Sequence, residues 1–349
     1  MKKRLGLFSV LILMSSMTIS LMGYARGGDG DDVEKKKNIS KTYAVSPNDK
    51  LSITNSFGEV NVNLWDKQEV KVEVEITVSA STDQKAQALL NNIEIKEQQY
   101  SGNISFHTNV KGSNNGSNWS KSKKEGNTRK LEINYSIYMP ASNPLDIENS
   151  FGKTNIPDFK GPISLTSKFG SLTAGHLANV TLVDVEFGTA DIGSIHNGEV
   201  TFKFNNRSTV NQVSGNIKLK TEFSGNVRFG IGDDIQELGI FGSYSSLTMV
   251  VSKALSANFD IRTSFGSFQN NSGFPISANK EETDDFGPNF DKTYSGATGG
   301  GKAKIKIKSS FGNIRITDSW DKSKDKSDDE GDDDEKGQKA GSKKGKVSA

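Results

Sequence analysis

The chain contains no cysteine, which excludes a disulfide framework, thiolate chemistry and a lipid-attachment cysteine at an export cleavage site. Prolines number 7 against 35 glycines, a composition of turns rather than of disorder. Hydrophobic residues make up only 33%, which is low for a compact globule and suits an elongated coil with a narrow core. A formal net charge of +2 over 349 residues gives no overall reason to expect nucleic acid or an anionic surface as partner. The apolar run at the start, Leu5 to Leu21, follows Met1-Lys2-Lys3-Arg4 and precedes Gly23-Tyr24-Ala25. That pattern predicts a secretory signal peptide, residues 1–25, cut after Ala25, because the run is short for a membrane span. The expected product is exported to the periplasm, the cell surface or the medium, with no transmembrane anchor in the mature chain.

A Phe-Gly step recurs at Phe151-Gly152, Phe169-Gly170, Phe187-Gly188, Phe241-Gly242, Phe265-Gly266 and Phe311-Gly312, the first three 18 residues apart. Phe204-Asn205 and Phe223-Ser224 keep the beat with the glycine replaced, and Phe57-Gly58 precedes it far upstream. A fixed period of this length is the mark of a coil in which each turn buries its apolar face only against its neighbours. Leu51-Ile53-Asn55-Phe57, Leu145-Ile147-Asn149-Phe151, Ile163-Leu165-Ser167-Phe169 and Ile305-Ile307-Ser309-Phe311 follow one template of strand period two, with a small polar residue two places before the Phe. The next apolar residues come three and five places after the Phe, as in Leu172 and Ala174. The inward parity therefore flips at the Phe-Gly step, which predicts a corner, with the glycine taking a positive φ or a close approach. Asn205 fits the same corner because asparagine tolerates the left-handed region. The phenylalanines, sharing parity with the preceding aliphatics, are expected to form an interior stack with neighbours about 4.8 Å apart.

The fold class expected is all-β: a parallel β-solenoid (β-helix) of about 18-residue rungs over residues 145–317, preceded by an antiparallel β cap with one short helix within residues 41–144. The cap segments are Val70 to Val78, Ile93 to Lys96, Asn103 to Thr108 and Leu131 to Met139, with a helix at Thr82 to Asn91, where Ser81 and Gln84 have capping-box spacing. Val110 to Arg129 reads as a polar loop, and Asn270 to Lys302, rich in Gly, Asn and acidic residues, as an insertion from the last rungs. Residues 26–40 read as a flexible leader. Residues 318–349, which carry the run Asp328 to Glu335 and a Lys/Gly-rich end, read as a disordered charged tail.

Short motifs give this plan a relative. Gly215-Asn216-Ile217, Gly225-Asn226-Val227 and Gly312-Asn313-Ile314, the variant Gly198-Glu199-Val200, the opening Asn55 to Val62 with Trp65-Asp66, and Tyr135-Ser136-Ile137-Tyr138-Met139-Pro140 carry it. In these the chain resembles the bacterial putative-adhesin family, adhesin-like β-solenoid domains of unknown function related to head GIN domain auto-transporter adhesins. The resemblance covers roughly residues 41 to 317 and implies the fold and export; it brings no family site residues with it.

Few residues suggest chemistry. Gly296 to Lys302 matches the first seven places of a phosphate-binding loop, but Ala303 replaces the magnesium-holding Ser or Thr and a strand follows instead of a helix. His107, His176 and His196 lack metal spacing, and no cysteine completes a zinc set. The acidic run from Asp328 to Glu335 lacks the spaced ligands of a calcium loop. Asp184, Glu186 and Asp191 lie near one corner, with Glu222 further along; they are the residues a carbohydrate-active enzyme would use, and also what the wet face of an amphipathic sheet looks like. Trp65, Trp119 and Tyr244 could stack on sugars, although Tyr244 occupies an inward place in the template. The expectation is a non-catalytic protein with no cofactor, metal or nucleotide, binding an envelope or extracellular polymer or protein. A carbohydrate-active β-helix enzyme and an envelope-stress accessory protein are the alternatives.

Overall fold

A computed structural model describes residues 32–111, 130–279 and 290–319. The signal peptide, the loop from 112 to 129 with Trp119, and the tail from 320 with its acidic run lie outside the described residues. What is described is almost entirely β, with the single helix Asp83–Asn91, and its strands join in one mostly parallel hydrogen-bonded network.

Two sets of strands alternate along the chain, one before and one after each Phe corner. Leu145–Ser150 pairs in parallel with Ile163–Lys168, which aligns Leu145 with Ile163; Lys153–Ile156 pairs with Ser171–Leu177, which aligns Lys153 with Ser171. Each alignment is a step of 18 residues. From Thr189 onward the two sets fuse into long strands, Thr189–Lys203, Arg207–Glu222 and Val227–Ser243, with register shifts where one set passes into the next. The alternation of small polar and aliphatic residues is what the pairing exploits. Ile53, Ile147, Leu165, Val183, Val200, Leu219, Ile240, Ile307 and Ile261 follow one another across the paired strands as one column, none more than 4% exposed. The inward residues of both sets close into one apolar cluster.

Spatial and chain order part company near the C-terminus. Ala303–Ser310 inserts between Val227–Ser243 and Ala257–Ser264, parallel to both. At the N-terminal end, Val33–Ala44 and Glu69–Ala80 pair antiparallel, Glu69–Ala80 pairs antiparallel with Lys130–Met139, and Ile93–Tyr100 with Asn103–Val110. These hairpins cover the first parallel strands, Lys50–Ser56 and Val60–Leu64, and so blunt their edges. The leader expected over 26–40 is corrected by the strand from Val33: its alternating half-buried positions give it a face to pair on the cap. The helix is capped one residue later than the Ser81 spacing suggested, with Thr82 Oγ1 accepting from the Lys85 amide at 3.3 Å. The insertion after Asn270 contributes Ile276–Ala278 and Asp291–Thr298, the latter antiparallel to Ala257–Ser264.

The corners depart from the expectation in two respects. Positive φ falls on the aromatic residue and not on its glycine: Phe57, Phe151, Phe169, Phe187, Phe204, Phe223, Tyr244, Phe265 and Phe311 have φ between 48° and 68°. The glycine is required instead by close approach. A Cβ on Gly170 would lie 1.9 Å from the Gly152 carbonyl oxygen, and one on Gly188 2.1 Å from that of Gly170. Where the glycine is absent, the replacement bonds inward: Asn205, 1% exposed, donates through Nδ2 to the Val185 carbonyl at 3.2 Å and accepts from the Gly188 amide at 3.1 Å. Asn205 therefore serves as a bonded core residue, with the left-handed conformation carried by Phe204.

The second departure is that the stack is not interior. The left-handed turn swings each ring out of the strand parity it inherits, so Phe151, Phe169, Phe187, Phe223, Phe265 and Phe311 are 46–55% exposed. Phe241-Gly242 is not a corner either. Phe241 is a half-exposed outward residue within Val227–Ser243, and Tyr244, expected inside, turns the corner three residues later and is 50% exposed.

Candidate binding surface

Ten rings form a continuous ladder along one edge of the protein, in the order Phe57, Phe151, Phe169, Phe187, Phe204, Phe223, Tyr244, Phe311, Phe265 and Phe290. Centroids are 4.6 to 5.3 Å apart, and the eight rings from Phe151 to Phe265 are tilted by no more than 5° from each neighbour. The spacing is that of adjacent β-strands, so the backbone sets the aromatic stack. Each corner amide is tied to a neighbouring strand or corner residue, as when Phe151 N donates to the Lys168 carbonyl at 2.8 Å and Phe187 N to the Lys203 carbonyl at 2.9 Å. Left-handed backbone costs a side-chain-bearing residue roughly 1–2 kcal/mol, and a stacked aromatic pair returns about 0.5–1.5 kcal/mol beyond burial. The two are of the same size, so stacking does little more than offset the strained backbone, and what the rings add to stability is the burial of their covered halves.

Its free surface is large. At about 150–250 Å² per aromatic side chain, the nine half-exposed rings beyond the partly buried Phe57 leave on the order of 1,000 Å² of apolar surface, against about 300–600 Å² for the largest patch on an ordinary monomer. Ring faces are covered by their neighbours, so the surface is a strip of C–H edges. It runs about 43 Å at one strand spacing per ring.

Beside the strip, on the strands that follow the last corners, lies a shallow groove of about 680 Å³. Arg228, Thr248, Arg315 and Gln269 form one outward column across paired strands, and Ser246, Asn313 and Ser267 form the column next to the ladder. Arg228 Nε donates to Asn226 Oδ1 at 2.9 Å, Arg315 Nε to Gln269 Oε1 at 3.2 Å, and Ser267 Oγ to Asn313 Oδ1 at 2.7 Å. Among the described residues no carboxylate lines the groove. The Phe-Gly beat pointed to the ladder; nothing in it pointed to the groove, whose two arginines lie five residues beyond Phe223 and four beyond Phe311. Their outward parity after Phe223 and Phe311 was the signal available.

The carboxylates singled out from the sequence do not converge. Asp184 and Glu186 share the outer face of one strand, Val180–Glu186, whereas Asp191 lies in the part of Thr189–Lys203 that pairs with Ser171–Leu177. Glu186 is held by Lys168 at 3.6 Å and Lys203 at 3.5 Å. Glu222 follows Lys203 in the same column, so the charges alternate down the sheet as an ion ladder. Asp184 Oδ1 is buried without a hydrogen bond, and burial, with the Glu186 charge adding to it, pushes the Asp184 carboxyl up from its ordinary range. Glu199, by contrast, is held below its ordinary range by its hydrogen bond to Lys220.

Two of the histidines are tied to serines on the neighbouring strand, His176 Nδ1 to Ser194 Oγ at 2.8 Å and His196 Nδ1 to Ser214 Oγ at 2.9 Å, while His107 is exposed on Asn103–Val110, aligned with Thr54. Among the described residues no three His, Asp or Glu side chains gather to hold a metal. Gly299, Gly300 and Gly301 make a positive-φ turn from Asp291–Thr298 into Ala303–Ser310, where the Gly301 carbonyl accepts from Asn258 Nδ2 at 2.7 Å. That glycine run turns between strands and presents no helix N-terminus to a phosphate. Trp65 is half-buried, donating from Nε1 to the Glu69 carbonyl at 2.7 Å beside the Tyr138 ring.

No protein-family model matches the chain, and no curated protein matches it in sequence. The chain has distant similarity to several solved structures. A putative cell adhesion protein of Clostridium sporogenes is 13% identical with a TM-score of 0.25, covering 80% of this chain and 99% of its own. A putative adhesin of Bacteroides fragilis is 12% identical with a TM-score of 0.33, covering 80% and 97%. A putative lipid binding protein of Parabacteroides distasonis is 11% identical with a TM-score of 0.28, covering 83% and 98%. Scores this low mean that the structures do not superpose as wholes, so the role of this chain has to be argued from its own side chains.

Proposed function

We propose that the chain is an exported, non-catalytic β-solenoid of about 18-residue rungs that works as an adhesive binding surface for an extended polymer of the bacterial envelope or its surroundings. The observation that carries this reading is the half-exposed aromatic ladder: a straight apolar strip, held open to solvent at strained corners, is surface maintained for contact. A partner that is itself linear and repeating meets such a strip at many weak points, so attachment strengthens when the protein is clustered. Residues 1–25 then act as the export signal and residues 318–349 as a solvated tail.

The test is retention of the purified full chain on immobilised envelope and extracellular polymers, comparing wild type with a Phe151→Ser, Phe169→Ser, Phe187→Ser variant whose fold is checked by circular dichroism. Retention of wild type on at least one polymer, lost in the folded ladder variant, is expected. No retention of wild type on any polymer, or equal retention of both proteins, overturns the reading. Polysaccharide turnover that disappears in Asp184→Asn or Glu186→Gln would replace it with an enzyme.

A further inference from the structure

We infer that the ladder is also a self-association surface: two copies of this chain lie antiparallel along their aromatic strips, about a two-fold axis that passes between Phe187 and Phe204. The inference rests on the reading of the strip as a contact surface and names a second copy as the partner that covers it when no polymer does.

The rings supply the contact. Phe151, Phe169, Phe187, Phe204, Phe223 and Tyr244 are half-exposed, and neighbours among them are tilted by 5° or less. A strip of near-equal steps is its own complement, since reversed end to end it presents the same row of edges. A two-fold axis in the contact plane, at right angles to the strip, sets Phe187 against the second copy's Phe204, Phe169 against its Phe223 and Phe151 against its Tyr244. Half of about 200 Å² on each of six rings is about 600 Å² per copy, or about 1,200 Å² for the pair. That reaches the lower limit of specific interfaces, about 1,200–2,000 Å², before the flanking columns are counted. A contact of this size opens on dilution, which returns the strip to solvent and to a polymer.

The charges beside the rings fix which rings meet. The residue before each ring belongs to a column that follows the ladder, in the order Ser150, Lys168, Glu186, Lys203, Glu222 and Ser243. Read from its other end, the column has every sign reversed. The axis between Phe187 and Phe204 brings this flank of both copies together. Lys168 then meets the second copy's Glu222, Glu186 meets its Lys203, and Ser150 meets its Ser243. Sliding one copy by a single ring sets Lys against Lys and Glu against Glu, so the column selects one register by repulsion as well as by attraction. Within one copy Glu186 already holds Lys168 at 3.6 Å and Lys203 at 3.5 Å, which positions these side chains before association. On the opposite flank the same axis sets Arg207 against Thr189 and Lys153 against Ser246, so no like charges face each other there. An axis along the strip, which lays the ladders parallel, would instead bring Lys203 of one copy beside Arg207 of the other.

The experiment is sedimentation velocity of the full chain over a dilution series. Wild type is expected to be a dimer that dissociates on dilution, and the folded Phe151→Ser, Phe169→Ser, Phe187→Ser variant a monomer. Glu186→Lys alone and Lys203→Glu alone each set like charges across the axis twice, and each is expected to raise the dissociation constant by roughly tenfold or more. Mixed in equal amounts, these two variants restore every opposite pair and are expected to form a heterodimer of near wild-type strength, a recovery that misfolded variants could not show. Wild type that stays monomeric at every concentration, single reversals that dimerise as wild type does, a mixture that stays monomeric, or a ladder variant that still dimerises each overturns the inference. Monomeric wild type retained on a polymer removes the dimer and leaves the binding surface in place. Dimeric wild type retained on no polymer supports the dimer and removes the polymer.

Discussion

Two columns run the length of this protein with the same step, and they behave oppositely. The inner one, from Ile53 through Val183 to Ile261, is aliphatic and closed to solvent. The outer one, from Phe151 to Phe290, is aromatic and half open. Both come from residues of the same strand parity, yet the aliphatic column supplies burial while the aromatic column spends about as much on left-handed backbone as it recovers by stacking. Periodicity thus reports what repeats and leaves open what the repeated residue is for. A column that recurs without being buried is where surface function is to be sought.

The comparison can be broken most severely at the corner glycines. Gly170→Ala sets a methyl within 1.9 Å of a backbone oxygen, so the adjoining corners must separate. Thermal and denaturant unfolding should show a loss of more than about 4 kcal/mol, beyond ordinary overpacking. Gly225→Ala, whose Cβ would meet nothing nearer than 3.8 Å, is the control and should change stability little. Equal losses would mean that the corners do not approach as closely as described.

Truncating each column sharpens the contrast. Ile240→Ala, at a site with 0% exposure, should cost about 2–5 kcal/mol. Phe187→Ala, at 46% exposure, should cost about 2 kcal/mol, since only part of the ring is out of water. Phe187→Gly should be the milder of the two changes at this site by about 1 kcal/mol, because glycine relieves the positive φ that alanine retains. If Phe187→Gly is the worse, the strain at the ladder is not real.

The smallest effect concerns Asp184. Its folded-state carboxyl is raised by burial and by Glu186, so the folded chain binds that proton more tightly than the unfolded chain does. Stability from this site is then present at low pH and lost as pH rises from the ordinary aspartate range through the raised folded value. Asp184→Asn should raise the Tm at neutral pH and leave it unchanged near about pH 3, where the carboxyl is protonated in both states. A Tm lowered at neutral pH would show that the charged form is supported by a partner.

Much of this was legible in the sequence. The corner spacing, the aliphatic alternation and the antiparallel cap with its helix could all be read from residue patterns. Which side the rings face could not, because Leu51, Ile53, Asn55 and Phe57 keep one parity to the end and only the backbone turn at Phe57, φ 68°, takes the ring out. The small polar residue before each ring was a hint that the interior narrows there, and buried Asn55 and Asn149 do bond backbone carbonyls at that place. Phe241 was mistaken for a corner because it spells Phe-Gly. Leu238 and Ile240, both buried, set a parity that leads to Tyr244. The insertion of Ala303–Ser310 between earlier strands left no local trace, since every strand carries the same template. The arginine groove depends on that insertion, which brings Arg315 beside Thr248.

The absence of cysteine makes the central claim directly measurable. Phe187→Cys and Ile240→Cys each introduce a single thiol, one into the outer column and one into the inner. The measurement is the rate at which a thiol reagent labels each folded protein, relative to the same protein in denaturant. An outer aromatic ladder requires Phe187→Cys to react nearly as fast as when unfolded and Ile240→Cys to be protected; protection of both would place the ladder inside and contradict the account.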